Sequence, residues 1–386
     1  MTQQPAAASL ELLLPIIATH RREADKNRQL SAQVVDAVCD SGLLGMPISP
    51  AHGGLGTTLP DMLQVYEAIA YEDAAVSWVI WNAGLIGFYA RFMPELLREE
   101  LFSGGDKLIC QSTIPSGELE TQDNETTIRG RWPLMSGSPG ADWAVLSCRR
   151  IVNGKPVVDA SGSPELVLAA IPRESYKIID TWHSSGLRGT GSNDIEVPDT
   201  VIPAHRTFSI ADESLQTGPT DRLPIFSCVS AIFAAQTLGV SRAVFDHALD
   251  RGRSSVSPGP IPDPRDRQDY QIAIAQHGEA LTIARERLQS AAQAVWSHAE
   301  TGDSPSPELS TDLYAAVFFA IQTAKTAVDT LHGLSGTSGL YEDSPIEKPA
   351  RDLHAMLRHI VAQPAMQADV GRVRLGLDPE WPLFFV

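Results

Sequence analysis

Apolar positions along the chain follow three successive rhythms. From residue 8 to 108 they recur at helical spacing: Leu10, Leu13, Leu14 and Ile17 make one amphipathic stripe. Val34, Val35 and Val38 make a second, behind Ser31, which is placed to cap that helix, and ahead of Gly42, which ends it. The stretch GLLGMPISPAHGGLGTTLPD is too rich in Gly and Pro to be helical throughout. Helical periodicity resumes from Leu59 to about Asn82, with Asp61 near the start and Trp78 and Trp81 near the end, and continues to Gly104–Gly105. At residue 108 the period changes. LICQSTIPS, TTIRGRWPLMSG, WAVLSCRRIV, PVVDA, LVLAAIP and YKIID are short β-rich runs separated by Gly, Pro and Ser, spaced as in a small β-barrel or sandwich. Long helical patterns return from about 222. They are interrupted by SSVSPGPIPDPRDR, whose four prolines demand a loop, and by SGTSGLYEDSPIEKP, before a last helix ARDLHAMLRHIVA and an apolar tail WPLFFV. The order predicts an α+β multi-domain chain: an N-terminal α-helical domain (1–108), a central β-domain (109–212) and a C-terminal helical bundle (213–386).

Charge narrows the partners. With 47 acidic against 30 basic residues the net charge is −17, which argues against nucleic acid and against an anionic membrane surface. Cys39, Cys110, Cys148 and Cys228 lie far apart with no CxxC spacing, so neither zinc nor a disulfide framework is expected, in keeping with a reducing cytoplasm. The apolar run near the N-terminus spans only about eight residues and is broken by Glu11 and Pro15, too short for a bilayer. The expectation is a soluble, cytoplasmic protein.

Chemistry concentrates in a few stretches. TWHSSGLRGTGSNDIEVPDTVIPAHR (181–206) sets Gly186, Gly189 and Gly191 among Ser184, Ser185, Thr190, Ser192, Asn193 and Asp194, just ahead of an alternating strand. It reads equally as a loop approaching a ligand with hydroxyls and amides or as a decorated turn. RWPLMSG offers Trp132 and Ser136 as a platform and donor for a planar cofactor, or Trp132 as an aromatic core anchor. STIPSG, with Ser112, is a second hydroxyl-rich β-loop open to the same two readings. His354 and His359, placed on one helix, point about 140° apart and make a poor metal pair, whereas Asp352 and His359 share a face. The remaining histidines form no ligand-spaced cluster, and no metal site is expected. GxGxxG after a strand, GxxxxGK[ST] and GxSxG are all missing, which removes a nicotinamide site, an ATP site and a hydrolase elbow.

Taken in order, SGLLGMPISPAHGGLG, RGRWPLMSGSPGADW, WHSSGLRGTGSNDIEVPDTVIP and LSGTSGLYEDSPIEKPARDLH resemble the acyl-CoA dehydrogenase superfamily over roughly residues 10–386. The resemblance implies an N-terminal α-domain, a central β-barrel or sandwich domain, a C-terminal four-helix bundle and a homotetramer. It implies that Ser112, Trp132, Ser136, Thr190 and Ser192 line a flavin ring, and that Ser335, Gly336 and Ser338 reach the dinucleotide part of a neighbouring subunit's flavin. Either Arg251 or Arg253 would then meet the flavin phosphates.

Two chemistries exist in the superfamily, and an absence separates them. A dehydrogenase needs a carboxylate base for the proton α to the thioester, carried just after the RD of the last region or on the first bundle helix. Here no Glu occurs between Glu347 and Glu380 or between Glu213 and Glu279. His359 stands instead about where the flavin-dependent two-component monooxygenase branch carries an active-site histidine. That branch resemblance, closest to indole-type oxygenases, implies an oxygenase component that takes FADH2 or FMNH2 from a separate NAD(P)H:flavin reductase. Through a C4a-hydroperoxyflavin it would oxygenate a small aromatic substrate with O2. Ser136 would hold the adduct, His359 would orient or deprotonate the substrate or protonate the peroxide, and Trp78, Trp81 and Asn82 would line the substrate wall. The alternatives are an acyl-CoA dehydrogenase with a displaced base, Asp246 or Asp250, and a non-catalytic scaffold. Anaerobic addition of an acyl-CoA to protein loaded with oxidised FAD should leave the flavin absorbance intact; bleaching would restore the dehydrogenase.

Overall fold

The computed structural model describes residues 4–105, 107–123, 125–158, 162–215, 217–254, 262–381 and 384–385. The element order is helical, then sheet, then helical, as the pattern predicts. Five helices come first: α1 (Gln4–Asn27), α2 (Ala32–Asp40), α3 (Leu59–Glu72), α4 (Ala74–Tyr89) and α5 (Glu95–Phe102). The single helix expected from Leu59 to Asn82 is in fact two. Asp73 adopts an extended conformation after α3, and its Oδ1 accepts from the backbone N–H of Ala75 (2.7 Å) and Val76 (3.1 Å), so it closes one helix and caps the next. Ser31 caps α2 as its position suggests, accepting from Val34 N. The Pro-rich break falls largely on 255–261, outside the described residues.

By its contacts the chain divides into two compact units, each assembled from separate stretches: 1–57, 78–184 and 188–221 in one, and 58–77, 185–187 and 222–386 in the other. The first holds the sheet: β1 (Ile109–Gln122), β2 (Glu125–Met135), β3 (Trp143–Val152), β4 (Lys155–Pro156), β5 (Leu166–Pro172), β6 (Lys177–Ile179), β7 (Asn193–Ile202) and β8 (Thr207–Phe208). Its path runs β6-β7-β2-β1-β3-β5-β8, with β4 beside β3, and among the described residues only the β1–β3 pair is parallel. Three register shifts interrupt it, between Ser112 and Gly117 in β1 and, in β2, between Ile128 and Gly130 and between Trp132 and Met135. β1 pairs with β2 up to Gln122 and Glu125, so the shifts at Ser112–Gly117 and Trp132–Met135 lie at the end of the strands away from that pairing. STIPSG and WPLMSG are therefore bulges, the device by which sheets re-aim side chains near sites. Exposed Leu134 carries the strain of the second at φ +60°.

Trp132 fills the gap that these bulges open. A Cβ on Gly117 would lie 2.0 Å from its ring and one on Gly130 about 3.1 Å from it, so only glycine fits at either place. The indole is fully buried, and its N–H donates to the carbonyl of Ser147 at 2.7 Å.

The second unit is the helical bundle: α6 (Ile225–Ser254), α7 (Gln268–Glu300), α8 (Pro307–Leu334), α9 (Glu347–Met356) and α10 (Pro364–Arg374). Helix α6 is apolar and long enough to cross a bilayer, yet that part of it is 94% buried, which makes it the core helix against which α3, α7, α8 and α9 pack. Gly239 lets α3 approach, since a Cβ there would sit 2.1 Å from the Glu67 carbonyl. Helix α10 was not expected from the pattern; Pro364 starts it, and it holds Met366 and Val370 against Tyr314, Phe318 and the tail residue Phe384.

One ion cluster ties the bundle together. The ammonium of Lys348 lies 2.8 Å from both Asp73 and Asp352, whose side chains are fully buried, and Asp352 also accepts the backbone N–H of Leu187 at 2.6 Å. Removing the cation strands two carboxylates. Lys348→Met should therefore cost about 3–5 kcal/mol at neutral pH, read by denaturant unfolding, with a smaller loss on acidification, since burial already pushes the Asp352 pKa upward.

Candidate functional site

In the first unit, four sequence-predicted residues converge on one spot. The Trp78 indole N–H donates to Ser136 Oγ (3.1 Å), Ser136 Oγ meets Ser192 Oγ (2.8 Å), and Ser192 Oγ meets Thr190 Oγ1 (2.6 Å). All four residues are buried. The β2 bulge delivers Ser136, the turn before β7 delivers Thr190 and Ser192, and α4 delivers Trp78. An indole N–H only donates, so Ser136 accepts it and the three hydroxyls run in series, each able to give a proton to the next. Trp81 packs on Trp78 with ring centroids 5.0 Å apart. Beside it on α4, Asn82 has a buried Oδ1 with no hydrogen-bond partner among the described residues.

Other expected residues take different places. Ser112 is buried in the β1 bulge, where its Oγ accepts from Ile114 N at 3.3 Å and so shapes the turn. Of the two readings of Trp132, its geometry is that of the core anchor, with no open face for a cofactor. Gly191 (φ +56°) spends its freedom on packing: a Cβ there would lie 2.8 Å from Pro139. Asn193 and Asp194 pin the turn, Asn193 Oδ1 accepting from the backbone of Thr181 and Trp182 and Asp194 from the Thr181 hydroxyl. Residues 185–187, from the same loop, belong to the second unit. There Leu187 (φ +51°) is held by Asp352, and a Cβ on Gly186 would meet the Arg351 carbonyl at 2.4 Å.

In the second unit the helix bearing Arg351 and Asp352 stops at Met356, earlier than the pattern suggested. The angular argument for His354 and His359 therefore lapses, as does the shared face of Asp352 and His359. His354 is exposed and bonded to Asp329 at 2.8 Å. His359 instead precedes a short 3₁₀ turn, Ile360–Ala362, and stacks on Phe233 of α6 with centroids 5.6 Å apart. Its Nδ1 accepts from Val361 N at 3.4 Å, which assigns the ring proton to Nε2. Burial lowers its pKa to about 4, so the imidazole is neutral at pH 7.

Arg251 and Arg253, both on the last turn of α6, are told apart. Arg251 donates to the Ser338 hydroxyl, Ser338 donates to the Ser335 carbonyl (2.7 Å), and Gly336 (φ +59°) makes the turn between them. Arg253 points to solvent, 4.0 Å from Asp250. The carboxylates that could replace a missing base are engaged elsewhere. Asp246 pairs with Arg242 (3.0 Å) and accepts from the Tyr71 hydroxyl, and Asp250 is exposed. Three residues escaped the sequence reading: Phe233, the cluster cation Lys348, and Gln236. For Gln236 a signal existed, a lone amide inside the apolar run of α6.

The chain matches two family models, acyl-CoA dehydrogenase N-terminal domain over residues 12–102 and acyl-CoA dehydrogenase C-terminal domain over residues 231–364. It is 26% identical over 360 residues to indole-3-acetate monooxygenase of Pseudomonas putida, covering 92% of this chain and 90% of that one. It is 25% identical to the flavin-dependent monooxygenase oxygenase subunit HsaA of Rhodococcus jostii, covering 96% and 94%. The structure of XiaF from Streptomyces sp., in complex with FADH2 and glycerol, superposes with a TM-score of 0.87 at 22% identity, covering 98% and 97%. The chain thus belongs to the acyl-CoA dehydrogenase superfamily and, within it, to the flavin-dependent two-component monooxygenase branch.

His359 makes stability depend on pH. Its folded pKa of about 4 lies below the ordinary 6.5, so between those values the unfolded chain binds the proton and the folded one does not. Its contribution is complete above pH 6.5 and is lost on acidification towards pH 4, at up to about 1.4 kcal/mol per pH unit. Denaturant unfolding of His359→Phe should show a flatter decline over this window than the parent.

Proposed function

We propose that this chain is the oxygenase component of a flavin-dependent monooxygenase. It takes FADH2 or FMNH2 from a separate NAD(P)H:flavin reductase and uses O2 to hydroxylate a small aromatic substrate, acting in the cytoplasm as a homotetramer. The observation that carries this reading is His359: a neutral imidazole follows the Arg351–Asp352 pair where a dehydrogenase needs a carboxylate. The relatives named above, an indole-3-acetate monooxygenase and a flavin-dependent oxygenase subunit, support it.

The donor set suits a flavin. Arg251, braced by Ser338, is a guanidinium with the geometry to take a phosphate, and Ser335, Gly336 and Ser338 form the turn around it. The Ser136–Ser192–Thr190 chain offers hydroxyl donors to the polar edge of an isoalloxazine without placing a charge there. Reduced flavin, when bound, supplies the two electrons that reduce O2, one oxygen atom going to the substrate and the other leaving as water.

The residues of the chain do the rest. Each hydroxyl in the series can donate to its neighbour, so a proton can be delivered at one end of the chain and replaced from the other while bulk water is kept away. Trp78 fixes the direction by donating to Ser136. His359, with its proton on Nε2, donates a hydrogen bond to a substrate oxygen or ring atom and orients the ring, with Phe233 stacked behind it. Its low pKa makes it a weak base and leaves it without a second proton to give, so of the three roles open to it, orientation is the one that fits. Trp81 and Asn82 line the substrate wall, Asn82 through its unpartnered carbonyl.

Mass spectrometry with ¹⁸O₂ and chemically reduced flavin should show one labelled oxygen in a phenol or indole product. Absence of label from every aromatic tried, with flavin bound, would remove the monooxygenase. His359→Ala should cut hydroxylation at least about tenfold while flavin oxidation continues uncoupled, the loss of one oriented hydrogen bond being worth about 1.4 kcal/mol or more.

A further inference from the structure

Gln236 lies in the middle of α6, wholly buried, and neither its Oε1 nor its Nε2 has a hydrogen-bond partner among the described residues. Its buried polar neighbours on the same helix do not share this condition. Ser227, Thr237 and Ser241 each return their hydroxyl to the carbonyl three residues earlier, at 3.1, 2.8 and 2.9 Å. A hydroxyl can be satisfied within its own helix; a glutamine amide, with two donors and an acceptor at the end of a longer stem, cannot. An amide left unmade in a core is costly, whereas methionine or leucine of similar volume is free of that penalty. A glutamine here needs a partner brought from outside the chain.

Its position says which partner. Phe233, Gln236 and Val240 follow one another at i, i+3 and i+7 and so share a face of α6. Phe233 is the residue that stacks on His359. We propose that Gln236 determines substrate specificity by hydrogen-bonding the polar substituent of an aromatic ring packed beside Phe233 and oriented by His359. This rests on the monooxygenase reading above and adds the substrate class. An amide is neutral and both gives and accepts, which matches a hydroxyl or a ring N–H. Of the cations of α6, Arg242 is paired with Asp246, Arg251 is bonded to Ser338 and Arg253 is turned to solvent, so the helix offers a carboxylate beside Gln236 no counter-charge. The site therefore selects neutral phenols and indoles over arylacetates and over bare hydrocarbons.

The test is anaerobic equilibrium titration of the full-length, flavin-loaded protein with phenol, indole, toluene and phenylacetate. The parent should bind phenol and indole more tightly than the other two. Gln236→Met should weaken phenol by about tenfold, the worth of one buried hydrogen bond, and leave toluene within about twofold. Thermal melts of the ligand-free variant should equal or exceed the parent, because the substitution removes two unsatisfied groups, a result that a structural role would reverse. Gln236→Leu repeats the comparison should methionine overpack the site. An unchanged phenol-to-toluene ratio overturns the proposal, as does a lowered melting temperature or a parent that prefers phenylacetate or toluene. A parent that oxygenates phenol with ¹⁸O₂ while the variant keeps its ratio loses only the role of Gln236; a parent that neither binds nor oxygenates any of the four loses the monooxygenase reading too.

Discussion

The helical unit depends on one ammonium. Lys348, largely shielded, faces the fully buried Asp73 and Asp352, and the contacts reach three separate stretches of chain: the junction of α3 and α4, helix α9 and the loop at 185–187. Each partner has a second task. Asp73 caps α4 through Ala75 and Val76, and Asp352 holds the strained backbone of Leu187. One cation between two carboxylates leaves an excess negative charge, and burial together with Asp73 pushes the Asp352 pKa upward against the pull of Lys348. Arg351, 3.7 Å from Asp352, supplies the nearest further relief. Such a cluster adds little net stability over a well-packed apolar one. Its value is positional: it allows one arrangement of α9, and His359 begins three residues beyond the end of that helix.

The sheet unit rests on a different constraint, the volume of one indole. Trp132 occupies the space that Gly117 and Gly130 leave, and anchors itself to Ser147. The bulges open the space that it fills, and the second of them lifts Ser136 out of the strand ladder towards Ser192 and Trp78. Packing of the core and placement of the hydroxyls are one event. A residue that resembles a cofactor platform in sequence works by being buried.

The chemistry divides accordingly. Groups in the sheet unit are neutral and linked in series, fitted to donate without introducing charge. Groups in the helical unit include the phosphate-competent Arg251, a neutral imidazole and an unsatisfied amide. Among the described residues, the aspartates on α6 that could serve a dehydrogenase as its base are engaged with Arg242 or turned to solvent. A half-buried neutral histidine and buried hydroxyls suit a reaction that fails when stray protons enter.

The sequence by itself determined the order helix, sheet, helix, the superfamily and the absence of the acidic base, because hydrophobic period, glycine placement and residue identity are local properties. Ser136, Thr190 and Ser192, singled out for their hydroxyls, are brought together only by the fold. The sequence misread Leu59–Asn82 as one helix, since a capping aspartate inside an apolar run looks like a substitution and not a break. It placed His359 on a helix, since nothing local after Met356 forbids another turn. Whether Trp132 is platform or anchor, which arginine joins the Ser335–Ser338 turn, which glycines serve packing, and that Gln236 stands unpartnered were decided only by the tertiary structure. Each depends on atoms more than 10 residues away in the chain, and on whether a polar group finds a partner there, which no local pattern encodes.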